Sequence, residues 1–205
     1  MFEPRYVSDL LQKAVDAFAR LPGIGPKSAL RMALYLLKQE EAEAENLADS
    51  ILELRKKVVY CSSCRMISDA PLCPVCSHPQ REQGVICVVE NVRDVMSIEN
   101  TGSYKGLYHV LGGIISPIDG ISPADLAIEP LLERLQKGNV QEVILALSTT
   151  MEGETTCFYL YKKMAQFPLK ITTIARGVGF GDQLEYTDEL TLGRSIENRQ
   201  PFKPE

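Results

Sequence analysis

Four cysteines fall in two close pairs, Cys61-x-x-Cys64 and Cys73-x-x-Cys76, with eight residues between the pairs. A Cys-x-x-Cys turn sets two thiolates about one ion apart, and a second such turn completes a tetrahedron. That is the geometry of a closed structural zinc site, which keeps no position for substrate. The segment from Arg65 to Leu72 is too short and too polar to fold alone, so metal binding is expected to supply its folding energy. Two disulfides are the alternative. They belong to small exported domains, and this chain has 205 residues and a mixed-charge start without the apolar stretch of a signal peptide. His78, two residues beyond Cys76, is the nearest side chain that could replace a cysteine. Cys87 and Cys157 lie in apolar surroundings and are expected to be inert core residues.

A second group of residues suits a polyanion. In Leu21 to Ala29, LPGIGPKSA, two glycines flank Ile24, so the backbone can turn tightly between antiparallel helices while Ile24 plugs the pair. Amides at the start of the second helix then face outward at its positive dipole end, where a phosphate docks without needing a side chain. Lys27 and Arg31 are four apart, on one face just past the turn, within reach of flanking phosphates. The string resembles the helix-hairpin-helix motif, which grips a nucleic-acid backbone whatever its sequence. The candidate DNA-binding residues are therefore Gly23, Gly25, Lys27 and Arg31. An ordinary helical hairpin with a glycine turn is the other reading.

Three acids form a third group. Glu90 ends the apolar run Val85 to Val89, and Glu152 and Glu154 of Met151-Glu-Gly-Glu154 follow the run Val143 to Leu147. Ligands of open parallel sheets gather beyond the carboxyl ends of the strands. Carboxylates converging there could hold Mg²⁺, which takes oxygen ligands. The spacing resembles the Toprim fold, in which one glutamate follows the first strand and an Asp-x-Asp pair a later one. Here the pair is Glu-x-Glu, whose longer side chains change the ligand distances and put metal-dependent cleavage in doubt. Solvated loop acids are the alternative. Further on, Ala175 to Gly181 carries alternate glycines, but G-x-G-x-G is not the dinucleotide fingerprint and no helix follows at once. Arg176 at that strand end is expected to pair with nearby acids or a partner.

The elements that must position these groups change character along the chain. Leu10, Leu11, Ala14 and Phe18 recur at helical spacing; the turn interrupts; Ala29, Met32, Ala33, Leu36 and Leu37 resume the period. Pro26 suits the first turn of the second helix, and Ala42 to Lys57 reads as a third helix. From Gly84 strands and helices alternate. Strands are expected at Val85–Val89, Leu107–Leu111, Val143–Leu147 and Lys170–Ala175, and helices at Val92–Glu99, Pro123–Lys137, Thr155–Gln166 and Asp188–Asn198. Such alternation favours a parallel sheet covered on both faces. The fold class expected is α/β: a parallel Toprim-like sheet with an amino-terminal helix-hairpin-helix region and a four-cysteine zinc module. Boundaries are expected at 1–57, 58–83, 84–176 and 177–205.

Net charge is −5, which argues against indiscriminate nucleic-acid binding. Residues 1–39 and 55–81 together carry +7, however, and the remainder carries −12. A basic amino-terminal third on an acidic body points to one face for a polyanion and another for something else. No apolar run approaches the ~20 residues needed to cross a bilayer. A cytoplasmic, nucleoid-associated protein without membrane contact is the expectation.

In order, a helix-hairpin-helix, four cysteines, the Glu90 strand end, MEGE (151–154) and ARGVGFGDQLEYTDELTLGRS (175–195) resemble the bacterial RecR family of recombination mediators over essentially the whole chain. The resemblance implies repair of gapped or broken DNA by homologous recombination. It implies work with RecO and RecF partners to load the recombinase onto single strands, and a homo-oligomer, dimer or ring tetramer, around DNA. It also implies that Lys27 and Arg31 contact DNA, that the four cysteines bind structural zinc, and that Glu90, Glu152 and Glu154 lie on a partner-binding surface without catalysis. The competing reading is a small Mg²⁺-dependent nuclease or primase built on those three glutamates. A third is an assembly adaptor with no direct DNA contact.

Overall fold

A computed structural model describes residues 8–179 and 181–201. Residues 1–7, Phe180 of the glycine-rich segment and residues 202–205, which fall within the regions expected at 1–57 and 177–205, lie outside the described residues. The chain divides after Val58 into two compact units.

The first unit is helical. Helix α1 (Asp9–Ala19) begins at Ser8, whose hydroxyl accepts from the Leu11 N–H. Helix α2 (Pro26–Leu36) begins at Pro26, whose missing N–H is one of the donors a first turn leaves unused anyway. The pair closes over Val15, Ala29 and Ala33, with Leu11, Phe18 and Ile24 packed against them. Alanines one turn apart on α2 let α1 approach closely, and Ile24 fills the gap below the turn as its apolar character demands. Helix α3 (Glu41–Lys57) places Glu41 and Glu43 in its first turn and Arg55, Lys56 and Lys57 in its last, each charge matching the helix dipole. None of its residues is buried.

The second unit holds a four-stranded parallel sheet in the order β4-β3-β5-β6: β3 (Glu82–Val89), β4 (Gly106–Val110), β5 (Glu142–Ala146) and β6 (Lys170–Thr173). Alternation along β3 decides its two faces. Ile86 and Val88 join a core with Leu131 and Leu135 of helix α6 (Ile128–Gln136) and Leu160 and Met164 of helix α7 (Met151–Met164). Cys87 and Val89 join a smaller core with Val95 of helix α5 (Val92–Asn100). Both faces are thus covered, as near-continuous apolar strands require.

Two short strands, β1 (Val59–Tyr60) and β2 (Ile67–Ser68), and a single turn, α4 (Pro74–Ser77), carry the cysteines. This module is welded to the sheet edge: the Val110 N–H of β4 donates to the Cys64 carbonyl at 2.8 Å. Met66 and Val75 pack against the sheet cores. A last helix, α8 (Glu189–Glu197), is capped by Asp188.

Two elements differ from the sequence expectation. The helix expected over Pro123–Lys137 is a 3-10 turn, Pro123–Asp125, followed by α6. The Ala127 N–H leaves the helical ladder to donate to the Leu111 carbonyl at 2.8 Å, tying that break to the end of β4. Helix α7 starts at Met151 rather than Thr155, because Thr150 accepts from the Gly153 N–H at 3.1 Å and caps it there. The acids of MEGE therefore lie in a first helical turn, not in a loop.

Candidate nucleic-acid interface and metal centre

The turn between α1 and α2 presents its backbone to solvent. Leu21, Pro22, Gly23, Gly25, Pro26 and Lys27 are all exposed, as is Arg31 one turn later. Gly23 sits at φ +77°, a conformation glycine enters without strain. Gly25 is different. Its φ of −84° and ψ of 167° suit any residue, and a Cβ added there would meet nothing within 4 Å. The fold itself therefore does not require glycine at 25. No side chain caps the start of α2, so the positive end of its dipole faces outward beside Lys27 and Arg31. Neither cation belongs to an ion pair among the described residues.

The ligand atoms of Cys61, Cys64, Cys73 and Cys76 lie within 4.8 Å of one another, and the first three residues are buried. A tetrahedral ion with Zn–S bonds of ~2.3 Å separates sulfurs by about 3.8 Å, so the set fits zinc. Cys64 and Cys73 Sγ are 3.5 Å apart, too far for a disulfide, and none of the four cysteines is in a disulfide. The Cys73 N–H donates to Cys61 Sγ at 3.3 Å and the Cys76 N–H to Cys73 Sγ at 3.4 Å, bonds that favour thiolate. Hydrogen bonding to Cys64 and Cys73, with the Arg134 charge nearby, holds Cys76 down to about 5. The same contact with Cys76, and burial, push the Cys64 thiol up. A divalent ion would displace that proton on binding. His78 stays outside the set: its Nδ1 accepts from the Gln80 N–H. Cys87 and Cys157 are buried in the two sheet cores, where burial pushes Cys87 up to about 12.

The three glutamates stand at the carboxyl ends of β3 and β5, where the sheet order reverses, but they do not form a cation nest. Glu90 accepts from the Ser148 N–H and bridges the two strand ends. Glu154 is engaged by the guanidinium of Arg176. Among the described residues the cysteine set is the one group of three or more such side chains close enough to share an ion. Magnesium therefore has no support here, and the expectation of convergence at Glu90, Glu152 and Glu154 is corrected: an arginine occupies the cationic role. Arg176 does pair with a nearby acid, as its position suggested.

The glycine-rich segment has turned its amides inward. The Val178 N–H donates to Ser195 Oγ and the Gly179 N–H to Asp182 Oδ2, each at 3.1 Å, which leaves those donors unavailable to a phosphate. Two residues at the strand ends escaped the sequence reading. Gly153 is needed because a Cβ would stand 2.1 Å from the Ser148 carbonyl oxygen. His109 of β4 is fully buried; its Nε2–H donates to the Ala127 carbonyl at 2.7 Å, and its Nδ1 has no hydrogen-bond partner. Glycine between two glutamates was the available signal for the first; nothing in the sequence marked the second.

Comparison with known proteins gives family matches along the chain. Family models match at residues 11–55 (RecR, helix-hairpin-helix), 58–78 (RecR, four-cysteine zinc finger domain), 84–175 (Toprim domain) and 177–200 (RecR, C-terminal). The recombination protein RecR of Bacteroides thetaiotaomicron is 55% identical over 198 residues, 97% of each chain. That of Porphyromonas gingivalis is 54% identical over 97% of this chain and 96% of its own. That of Flavobacterium psychrophilum is 53% identical with the same coverage. No helix among the described residues is long and apolar enough to cross a membrane.

Proposed function

The chain belongs to the RecR family of recombination proteins, and from that premise we propose that it is a non-enzymatic DNA clamp acting as a recombination mediator. Residues 1–57 hold the DNA backbone, 58–83 bind one structural zinc through Cys61, Cys64, Cys73 and Cys76, 84–176 present an acidic surface to partners, and 177–205 form a glycine-rich and helical end segment. The partners in this reading are the RecO and RecF mediators, and the product is recombinase loaded on a single-stranded gap.

One observation carries the reading: the open backbone at Gly25, beside two unpaired cations, Lys27 and Arg31. Backbone amides and two point charges recognise phosphates irrespective of base sequence. Two cations per chain are few, and repetition in a homo-oligomer raises avidity without any new contact. Helix α3 supports such an assembly, since Leu47, Ile51 and Leu54 are exposed at helical spacing on an element with no buried residue.

The test is a chain carrying Lys27→Glu and Arg31→Glu. Its affinity for gapped DNA should fall by at least tenfold at matched salt while its melting temperature and zinc content stay as in the parent. Parental affinity in that chain would place the contact elsewhere. Mass measurement in solution, with and without DNA, decides the number of subunits.

A further inference from the structure

A cavity of about 1260 Å³ opens beyond the carboxyl ends of β3 and β4, between the sheet and the cysteine module. Two guanidiniums from separate elements line it, Arg65 from the turn after Cys64 and Arg93 from the first turn of α5. Ion pairs among the described residues engage Lys57, Arg81, Lys170 and Arg176, and leave these two arginines free. Asp125 also lines the cavity but is committed to its own turn, accepting from the Ser122 N–H at 2.8 Å and the Ser122 hydroxyl at 2.6 Å. Glu129 is the remaining carboxylate of the lining. Two rings complete it, Tyr60, which is 68% exposed, and Tyr159.

Arg65 is also the one non-glycine residue with positive φ, +64°, among the described residues. The position after a Cys-x-x-Cys turn is one glycine would fill without strain, yet here it carries a long cationic side chain that reaches the cavity.

We infer that this cavity binds a nucleoside phosphate, which goes beyond the hairpin contact proposed above. Arg65 and Arg93 hold the phosphate oxygens in charge-assisted bonds, and their planar forks suit that group better than a single carboxylate. The exposed Tyr60 ring offers a stacking face to the base. Glu129 accepts from a sugar hydroxyl or a base amine. The location agrees with the rule that ligands of parallel sheets lie beyond the carboxyl ends of the strands. The Arg93 N–H, in the first turn of α5, is already taken by the Asn91 side chain, and the Asn91 N–H by Asp94. A peptide adding as a strand is disfavoured at this edge. The Val110, Leu111 and Gly112 N–H groups already donate to the Cys64, Val89 and Glu90 carbonyls, at 2.8, 2.9 and 2.9 Å.

A free nucleotide and a DNA strand present the same chemistry, so the experiment separates them. Calorimetric titration would use the full zinc-loaded chain carrying Lys27→Glu and Arg31→Glu, which silences the hairpin, with dTTP, a twelve-residue oligo(dT) and a polyglutamate peptide as probes. Saturable binding of dTTP identifies a free nucleotide as a ligand; binding of the oligonucleotide alone identifies strand phosphates. Arg93→Gln and Arg65→Gly should each weaken that binding about tenfold or more. Arg65→Gly should keep or raise the melting temperature, since glycine relieves the left-handed backbone, so lost binding there is not lost folding. The inference is overturned if neither nucleotide probe binds, if both variants bind like the parent, or if polyglutamate alone binds. Because the hairpin is already disabled, failure here leaves the clamp reading untouched.

Discussion

Arg176, just past β6, bonds through Nη1 to Oε1 of Glu154 in the first turn of α7. A guanidinium here does what a divalent cation would do for a carboxylate at the end of a parallel sheet: it neutralises the charge and fixes the side chain. Glu90 is likewise engaged, by the Ser148 N–H. Two of the three acids of this region, Glu90 and Glu154, are thus satisfied by the protein itself.

Millimolar Mg²⁺ should therefore leave the melting temperature unchanged, and Arg176→Ala should destabilise by only roughly 1 kcal/mol. The Glu154 side chain is 42% exposed and regains water when its partner is removed. Thermal denaturation with and without the ion checks both. A magnesium-dependent rise in the parent would contradict the pairing.

Gly153→Ala should cost far more, about 2–4 kcal/mol, because the added methyl collides with the Ser148 backbone rather than with a side chain that can turn aside. Chemical denaturation measures it. Near-parental stability would mean that α7 can slide from Ser148.

Gly25→Ala is the opposite case. Open space surrounds the new methyl, so stability should stay within about 0.5 kcal/mol. Affinity for gapped DNA should fall several-fold, because the methyl keeps phosphate from the amides. The salt dependence of binding, steep when phosphate contacts release counterions, should change less here than in the Lys27→Glu, Arg31→Glu chain. Filter binding across a salt series separates the two effects.

The cysteine module should hold one zinc per chain, and Cys73→Ser should both release metal and lower the stability of the sheet. The coupling follows from the bond between the Val110 N–H and the Cys64 carbonyl and from the packing of Val75 on the sheet cores. A chromophoric zinc indicator read alongside circular dichroism during chelation tests it. Loss of metal with the sheet melting unchanged would show the module to be an independent appendage.

Burial holds the His109 imidazole down to about 4, against an ordinary value near 6.5. Above pH 6.5 both folded and unfolded chains are neutral at this residue, and it has no effect on stability. Between pH 6.5 and 4 only the unfolded chain takes the proton, so stability falls with pH, by up to about 3 kcal/mol in all. His109→Leu should flatten that part of the curve in denaturant titrations run at successive pH values. An unchanged slope would assign it to other groups.

Local chemistry made much of this legible in the sequence. Two Cys-x-x-Cys turns define their own geometry, so the metal centre could be read from spacing alone. The hairpin turn needs only glycines, a proline and helical periodicity on either side, all of them neighbours in the chain. The strands announced themselves as apolar runs because both faces of a parallel sheet are buried. Tertiary structure decided the rest, because those choices depend on residues distant in sequence. Arg176, more than twenty residues on, took the carboxylate that a metal would have needed, and Leu111 drew Ala127 out of α6. The Thr150 cap that starts α7 at MEGE is local by contrast, a signal present in the sequence that the reading passed over. Arg65 shows the limit most plainly. Its place after Cys64 follows from the sequence, but the left-handed backbone and the cavity it faces exist only once the cysteine module has closed on the edge of β4.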